Sequence, residues 1–326
     1  MGRVSDNPVI PSSLIPPSLI PSSLISAAEL AGLLRDGPRP DGGTRSGPVI
    51  LDVRWTLAGS DHAGYLAAHV PGAVFVDLDR ELAGPPGAGG RHPLPDATDL
   101  QHVWRTAGID DDSSVVVYDG GSGLAAARAW WLLRWSGLAA ARVLDGGFAM
   151  WTSEADRPTV AGEQRPVDPG AVTVRPGAMP VIEVDDAAEL AGSPSGALVD
   201  VRAAARFRGE IEPIDPVAGH IPGSVNLPIG DLLAPDGTFR SAGQLAAALA
   251  AVGIRGGDGP LGAGGPWGAG GRGAGPGRMR AAASCGSGVT ACQLILAADI
   301  AGLELALYPG SYSQWCALGR PVAVGA

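Results

Sequence analysis

The chain has 326 residues, 45% of them hydrophobic, and a formal net charge of −10 at pH 7. That is length and apolar content enough for two ordinary domains with real cores, and an acidic balance that excludes the basic face a nucleic-acid binder needs. All 23 basic residues are arginine, so lysine Schiff-base and P-loop chemistry are excluded too. The three cysteines, Cys285, Cys292 and Cys316, make no disulfide framework and show no zinc spacing, and their odd number predicts a reducing, cytoplasmic setting. No apolar run is long enough to span a membrane. The wealth of Gly, Pro and Ala suggests a GC-rich bacterial genome.

Residues 1–25 are a proline-punctuated repeat, Ile10-Pro-Ser-Ser-Leu14, Ile15-Pro-Pro-Ser-Leu19 and Ile20-Pro-Ser-Ser-Leu24. Proline at this density forbids a helix and interrupts the apolar core of a signal peptide, so a disordered tail is expected. From Ser26 the pattern is structured. Ser26 with Glu29 forms a capping box for a short helix, Ala27–Arg35. Val49-Ile-Leu-Asp-Val-Arg54 reads as a buried strand, His69-Val-Pro-Gly-Ala-Val-Phe-Val76 as a turn and second strand, and Val115–Tyr118 as a third strand ending at Asp119-Gly-Gly-Ser-Gly123. Ala125–Trp135 is an apolar helix, followed by a strand at Arg142–Leu144 and a helix start running to Trp151. Strands alternating with helices predict a parallel α/β sheet with helices on both faces. Residues 157–180, rich in proline and without a period, read as a linker.

The pattern then repeats. Ala197–Arg202 matches Val49–Arg54, His220–Leu227 matches His69–Val76, Ala281–Cys285 matches Val115–Asp119, and Leu307–Gly310 with Trp315 matches Leu144–Gly147 with Trp151. The offset grows from 148 and 151 at the first two pairs to 166 at Asp119 and Cys285, because a stretch of almost only Gly, Ala and Pro, residues 256–277, precedes the last match. His69 and His220 fall in turn motifs of both halves and read as structural. Arg202 reads as an ion pair with Asp200, Arg208 as solvated, Cys292 as core, with resolution of an oxidised Cys285 as its alternative, and Cys316 as packing or exposed.

The two halves differ where a strand meets a helix. The second reads Ala281-Ala-Ala-Ser-Cys285-Gly-Ser-Gly-Val-Thr290 and continues as an apolar helix. Small residues at 286, 287 and 288 let the backbone curl so that several amides point at one sulfur, and the positive end of the helix adds to them. Both effects favour a thiolate, the form in which cysteine is a nucleophile. A cysteine-dependent phosphatase would need an arginine six residues on, where Ala291 stands.

This string closely resembles the active-site loop of the 3-mercaptopyruvate sulfurtransferases of the rhodanese superfamily. With the Asp-x-Arg strands, the His-x-Pro-Gly turns and the ends at Trp151 and Trp315, the resemblance covers residues 26–326. It implies two tandem rhodanese-like domains, 26–156 and 181–326, the second catalytic and the first inactive because Asp119 occupies the cysteine position. It implies that Cys285 takes up sulfane sulfur as a persulfide in a cradle formed by Gly286, Ser287, Gly288, Val289 and Thr290. Ser287 would join a relay with His92 and Asp79 of the first domain, and Arg206 would bind the carboxylate of the substrate. The family often has a second arginine near the Glu-Pro segment; Glu212–Val217 has none, so the carboxylate must be held more weakly or by another arrangement.

The expected partners are a small anionic sulfur donor and a thiol acceptor, such as a thioredoxin-like protein or a small thiol, or else cyanide. Neither metal nor organic cofactor is indicated. Thiosulfate-specific rhodaneses carry cationic residues just after the cysteine; Gly286 and Ser287 are neutral, which favours 3-mercaptopyruvate as donor. Thiosulfate as donor, and a persulfide carrier without turnover, are the alternatives.

Overall fold

The computed structural model describes residues 22–35, 47–56, 58–166, 168–255 and 280–325; most of the N-terminal repeat and the Gly-rich stretch 256–277 lie outside these. The first unit begins with β1 (Leu24–Ile25), α1 (Ala27–Arg35) and β2 (Val49–Asp52), then a small hairpin of β3 (Trp55–Thr56) and β4 (Gly59–Ser60). It continues through α2 (His62–Ala67), β5 (Ala73–Phe75), α3 (Leu78–Glu81) and α4 (Ala97–Thr106). It closes with β6 (Val115–Tyr118), α5 (Leu124–Trp135), β7 (Ala141–Leu144) and α6 (Gly147–Trp151). The sheet order is β1-β7-β6-β2-β5, with every pairing parallel. The central strands β2 and β6 are Val-Ile-Leu-Asp and Val-Val-Val-Tyr, stiff β-branched runs buried on both faces, as an inner parallel strand must be.

The second unit holds α7 (Val184–Gly192), β8 (Gly196–Asp200), α8 (Ala204–Phe207), β9 (Val225–Asn226), α9 (Ala242–Ala251), β10 (Arg280–Ser284), α10 (Val289–Ile300), β11 (Ala306–Leu307) and α11 (Ser311–Ala317). Its parallel sheet has the order β11-β10-β8-β9. Two outer cores cover the far faces. One packs α1 and α6 residues such as Leu30 and Trp151 on the first sheet, and the other packs α7 and α11 residues such as Leu190 and Trp315 on the second. Between the sheets lies one continuous core that includes Leu51 and Val117 of the first unit and Val199 and Ala283 of the second.

Helices α5 and α10 face each other in that shared core. Each is apolar almost all round, which is the pattern of a helix with no solvent face. Trp130 and Trp131 of α5 are completely buried, and truncating either to alanine removes on the order of 3–5 kcal/mol. The two units therefore meet along a largely apolar seam, and the carboxyl ends of β6 and β10 lead to it.

Two details differ from expectation. The tail was expected to extend to residue 25, but Leu24–Ile25 pairs in parallel with β7 at Val143–Leu144. The last proline of the repeat is Pro21, so the amides after it are free to join a ladder. The described residues of 157–180 carry no helix, yet they are packed along the first unit: Val160 bridges His69, Val172 is buried and its amide donates to the Ile109 carbonyl. Among the described residues, no helix is long and apolar enough to cross a membrane.

Candidate active site

Strand β10 delivers Cys285 to the seam. Ala282 and Ala283 are fully buried, and Cys285 follows at the strand's carboxyl end, 2% exposed. The chain turns at Gly288, whose φ of +81° lies in the left-handed region. A Cβ there would overlap the Pro309 carbonyl, so only glycine fits. The turn brings the Gly288 amide to donate to Cys285 Sγ at 3.1 Å. Of the expected cradle, Gly286 to Thr290, this is the amide that reaches the sulfur; Val289 and Thr290 form the first turn of α10 behind it. From the other side, α11 pins the loop. The Tyr312 and Ser313 amides donate to the carbonyls of Cys285 and Gly286 at 3.0 and 2.8 Å. Ser311 Oγ accepts from the Cys285 amide at 3.1 Å and donates to the Tyr308 carbonyl at 2.8 Å. Ser311 adopts φ +49°, a strained value for a residue with a side chain.

Ser287, His92 and Asp79 come together although 195 and 13 residues separate the successive partners. His92 Nδ1 lies 2.8 Å from Ser287 Oγ, and His92 Nε2 lies 3.1 Å from Asp79 Oδ1. A carboxylate only accepts, so Asp79 selects the tautomer with the proton on Nε2 and leaves Nδ1 to accept from the serine hydroxyl. Asp79 stands in the first turn of α3, capped by Asp77 through the Asp79 and Arg80 amides at 3.0 and 3.3 Å. The indole Nε1 of Trp55, on the β3–β4 hairpin, donates to both Asp79 oxygens at 2.9 Å and fixes the carboxylate. Arg128, fully buried in α5, donates to the carbonyls of Leu82, His92 and Pro93 and so anchors the loop that carries the imidazole. Burial pushes the His92 pKa down. Asp79 opposes this, while the charges of Arg128 and Arg91 add to it.

Arg206 lies in α8 beside the cysteine loop. Its Nε and Nη2 are held by Glu212 at 3.3 and 2.6 Å, and Nη2 also donates to Asp215 at 3.1 Å. No second arginine comes from the Glu212–Val217 segment, but one reaches the same place from the other unit. A Cβ at Gly286 would lie 2.9 Å from Arg91 Nη2 and 3.8 Å from Arg206 Nη1, so both guanidiniums overhang the residue after the cysteine. Arg91 pairs with Asp215, and its own amide donates to Ser313 Oγ at 3.0 Å.

The residues set aside as structural have structural partners. Arg202 grips Asp200 through Nε and Nη2 and stacks 3.9 Å above the Tyr312 ring; Arg54 and Asp52 repeat the pair in the first unit. His69 and His220 are buried, each with Nδ1 2.8 Å from a carbonyl oxygen, of Tyr65 and Phe207 respectively. Arg208 pairs with Glu210 near the surface. Cys292 donates to the Gly288 carbonyl at 3.3 Å, and burial pushes its thiol up to about 12. Cys316 is half-buried, with its pKa raised mainly by burial.

In the first unit Asp119 occupies the matching strand end and is buried. Its oxygens accept from the amides of Gly121, Gly123, Ala125 and Ala126 at 2.9 to 3.3 Å. The cradle is present there but already holds an anion.

Trp55, Arg91, Arg128 and Asp215 escaped the sequence reading. Arg91 had the clearest signal, since it adjoins His92; the others are placed by tertiary contacts that no local pattern announces.

These features, a cysteine in an amide loop at a parallel strand end and a paired sheet without the nucleophile, define a class that comparison with known proteins identifies. The rhodanese-like domain pattern matches residues 26–154. A Mycobacterium tuberculosis protein named "Putative thiosulfate sulfurtransferase SseB" is 41% identical over 311 residues, spanning 92% of this chain and 96% of its own length. A Pseudomonas aeruginosa protein named "Probable 3-mercaptopyruvate sulfurtransferase" is 40% identical over 284 residues, 85% of this chain and 92% of that one. The crystal structure of the Escherichia coli 3-mercaptopyruvate sulfurtransferase SseA superposes with a TM-score of 0.68 at 27% identity, covering 90% of this chain and all of that one. The chain belongs to the rhodanese-like sulfurtransferases.

Proposed function

We propose that the protein moves sulfane sulfur from 3-mercaptopyruvate to a thiol acceptor through a persulfide on Cys285. The observation that carries this reading is the Ser287–His92–Asp79 chain, assembled from both units and ending two residues after Cys285. A thiosulfate donor releases sulfite, which needs no proton; a mercaptopyruvate donor releases an enolate, which does.

The chemistry follows from the geometry. Cys285 gives up its proton to the serine–histidine pair, and the Gly288 amide stabilises the thiolate left behind. The thiolate attacks the donor sulfur; an S–S bond forms as the C–S bond breaks, and the electron pair goes to the carbon fragment as the pyruvate enolate. The relay returns the proton to that carbon and pyruvate leaves. The donor's thiol hydrogen stays on the outer sulfur of the persulfide. An acceptor thiolate, from a thioredoxin-like protein or a small thiol, then takes the outer sulfur and restores Cys285; cyanide can replace it. Arg206, through the Nη1 that Glu212 and Asp215 leave without a partner among the described residues, and Arg91 beside it hold the donor carboxylate. The backbone amides of Gly286 to Thr290 receive the sulfur. The chemistry needs Cys285 reduced, which fits a reducing, cytoplasmic compartment, and the composition fits a bacterial source.

Asp119 cannot carry sulfane sulfur, so the first unit serves by walling the site and supplying Asp79, Arg91 and His92. Thiosulfate is the second reading, favoured by the two guanidiniums beside Gly286, which can also hold an oxyanion.

The deciding measurement is pyruvate release from 3-mercaptopyruvate against sulfite release from thiosulfate, with the mass of the enzyme followed after reaction with donor in the absence of an acceptor. The expected result is faster turnover with mercaptopyruvate and a gain of one sulfur atom, both lost in Cys285→Ser. Preference for thiosulfate overturns the donor assignment, and activity surviving in Cys285→Ser overturns the persulfide.

A further inference from the structure

The anion pocket contains a carboxylate of its own. Asp215 has a side chain only 1% exposed, yet it stands beside the cysteine loop between the two arginines assigned to the donor. It accepts from both Arg91 nitrogens, with Nη2 at 3.5 Å, and from Arg206 Nη2 at 3.1 Å. Its backbone amide donates to Glu212 Oε1 at 3.0 Å, and Glu212 in turn binds Arg206. Arg202, which grips Asp200, also reaches Glu212 at 3.4 Å, so three carboxylates face three guanidiniums and their formal charges cancel. A carboxylate of the chain bridging Arg91 of one unit and Arg206 of the other occupies the kind of position a substrate carboxylate would take.

The pocket keeps directed donors rather than net charge. Arg206 Nη1 has no hydrogen-bond partner among the described residues, and it lies 3.8 Å from where a Cβ of Gly286 would be. Such a pocket can hold a singly charged, planar carboxylate by hydrogen bonds. It offers little to a dianion, whose desolvation needs uncompensated positive charge. We propose that Asp215 is the residue that sets the donor's charge, holding Arg91 and Arg206 in a fixed pair while cancelling enough of their charge to select monoanionic sulfur donors over dianionic ones.

This inference rests on the sulfurtransferase reading. Its test is the ratio of kcat/KM for 3-mercaptopyruvate, a monoanion through its carboxylate, to kcat/KM for thiosulfate, a dianion. Asp215→Asn keeps the shape and removes the charge. The ratio is expected to move about tenfold toward thiosulfate, the scale of one partly screened charge in a cleft, and Asp215→Glu should largely restore it. Arg91→Gln is a second variant that does not disturb the Glu212–Arg206 pair, and it should move the ratio the opposite way by leaving Asp215 uncompensated. A residue that only braces the loop would lower both kcat/KM values together. An unchanged ratio in Asp215→Asn and Arg91→Gln, with the wild type active, overturns the inference. A wild type that transfers sulfur from neither donor overturns the reading beneath it instead.

Discussion

The two strand-to-helix loops of this molecule are built alike and filled differently. Both end a central parallel strand, both pass through a left-handed glycine, Gly123 at φ +76° and Gly288 at φ +81°, and both open a buried helix. In the first loop the occupant is the Asp119 carboxylate, which takes amides at the helix cap and in its first turn. In the second it is a thiol that takes a single amide, that of Gly288. Aligned on their cap glycines, Ala125 and Ala126 correspond to Thr290 and Ala291. The two first-turn amides that Asp119 consumes in one loop thus have counterparts in the other that the thiol does not take, and in the proposed function these receive the incoming sulfur or anion. The scaffold around them is duplicated faithfully, down to the Asp52–Arg54 and Asp200–Arg202 pairs. One loop is filled as an anchor, and in the proposed function the other is the reaction site.

Exchanging the chemistry at the two positions should separate stability from activity, and these are the largest effects expected. Cys285→Ser should abolish turnover while leaving unfolding free energy within about 1 kcal/mol, since a hydroxyl fits where the thiol was. Asp119→Ala should do the reverse. It strands buried amides without an acceptor and should destabilise by about 2–4 kcal/mol, while the folded fraction keeps its kcat. Denaturant melts and single-turnover assays on the same preparations read both quantities. Loss of kcat in folded Asp119→Ala would mean that the first loop takes part in the chemistry and that the division of labour is wrong.

The relay gives the next effect in size. His92→Gln should lower kcat for 3-mercaptopyruvate by about 10²–10⁴-fold, the range for a positioned acid–base group, and should affect thiosulfate turnover far less. Its pH dependence has a definite sign. Burial lowers the His92 pKa below the ordinary value of 6.5, so the neutral imidazole persists below that pH and the acid limb of kcat should lie below it too. In the unfolded chain the imidazole takes up its proton first as pH falls. The stability associated with the neutral form is therefore complete above 6.5 and is lost as pH drops toward the depressed folded value. Thermal melts at descending pH should show this loss in the wild type and a flatter dependence in His92→Gln.

Much of this was legible in the sequence because the decisive features are local. The β-branched runs of β2 and β6, the repeated His-x-Pro-Gly turns and the Cys285–Thr290 string each carry their geometry in consecutive residues. Ser287, Asp79 and His92 were named through the resemblance to the 3-mercaptopyruvate sulfurtransferases, by position, and the contacts that join them cross the seam. The Ser26–Glu29 box marked α1 directly, and it formed as expected. What escaped notice depends on tertiary placement. Leu24–Ile25 is a strand only because β7 offers an edge. Arg91 supplies the guanidinium sought near Glu212, and nothing local links residues 124 apart. Asp215 carries no local signal, because its two cationic partners come from different units.

Trp55 offers the finest comparison, and the smallest effect. The corresponding position in the second unit is Ala203, which caps the short helix α8 and has no side chain to reach across. Trp55 instead donates its indole N–H to both oxygens of Asp79 and meets the His92 ring edge-on, with centroids 5.7 Å apart. If it orients Asp79, and through it the imidazole tautomer, Trp55→Phe should keep the packing and lose only the hydrogen bond. The expected cost is about 1 kcal/mol of orientation, a roughly three- to tenfold fall in kcat for 3-mercaptopyruvate. The acid limb should shift as well, because an unrestrained carboxylate supports the imidazolium differently. KM should hold, since Trp55 hydrogen-bonds Asp79 and meets the His92 ring rather than the carboxylate-binding arginines. Equal kcat and an unmoved acid limb in Trp55→Phe would show that Asp79 needs no such support and that the hairpin contributes packing alone.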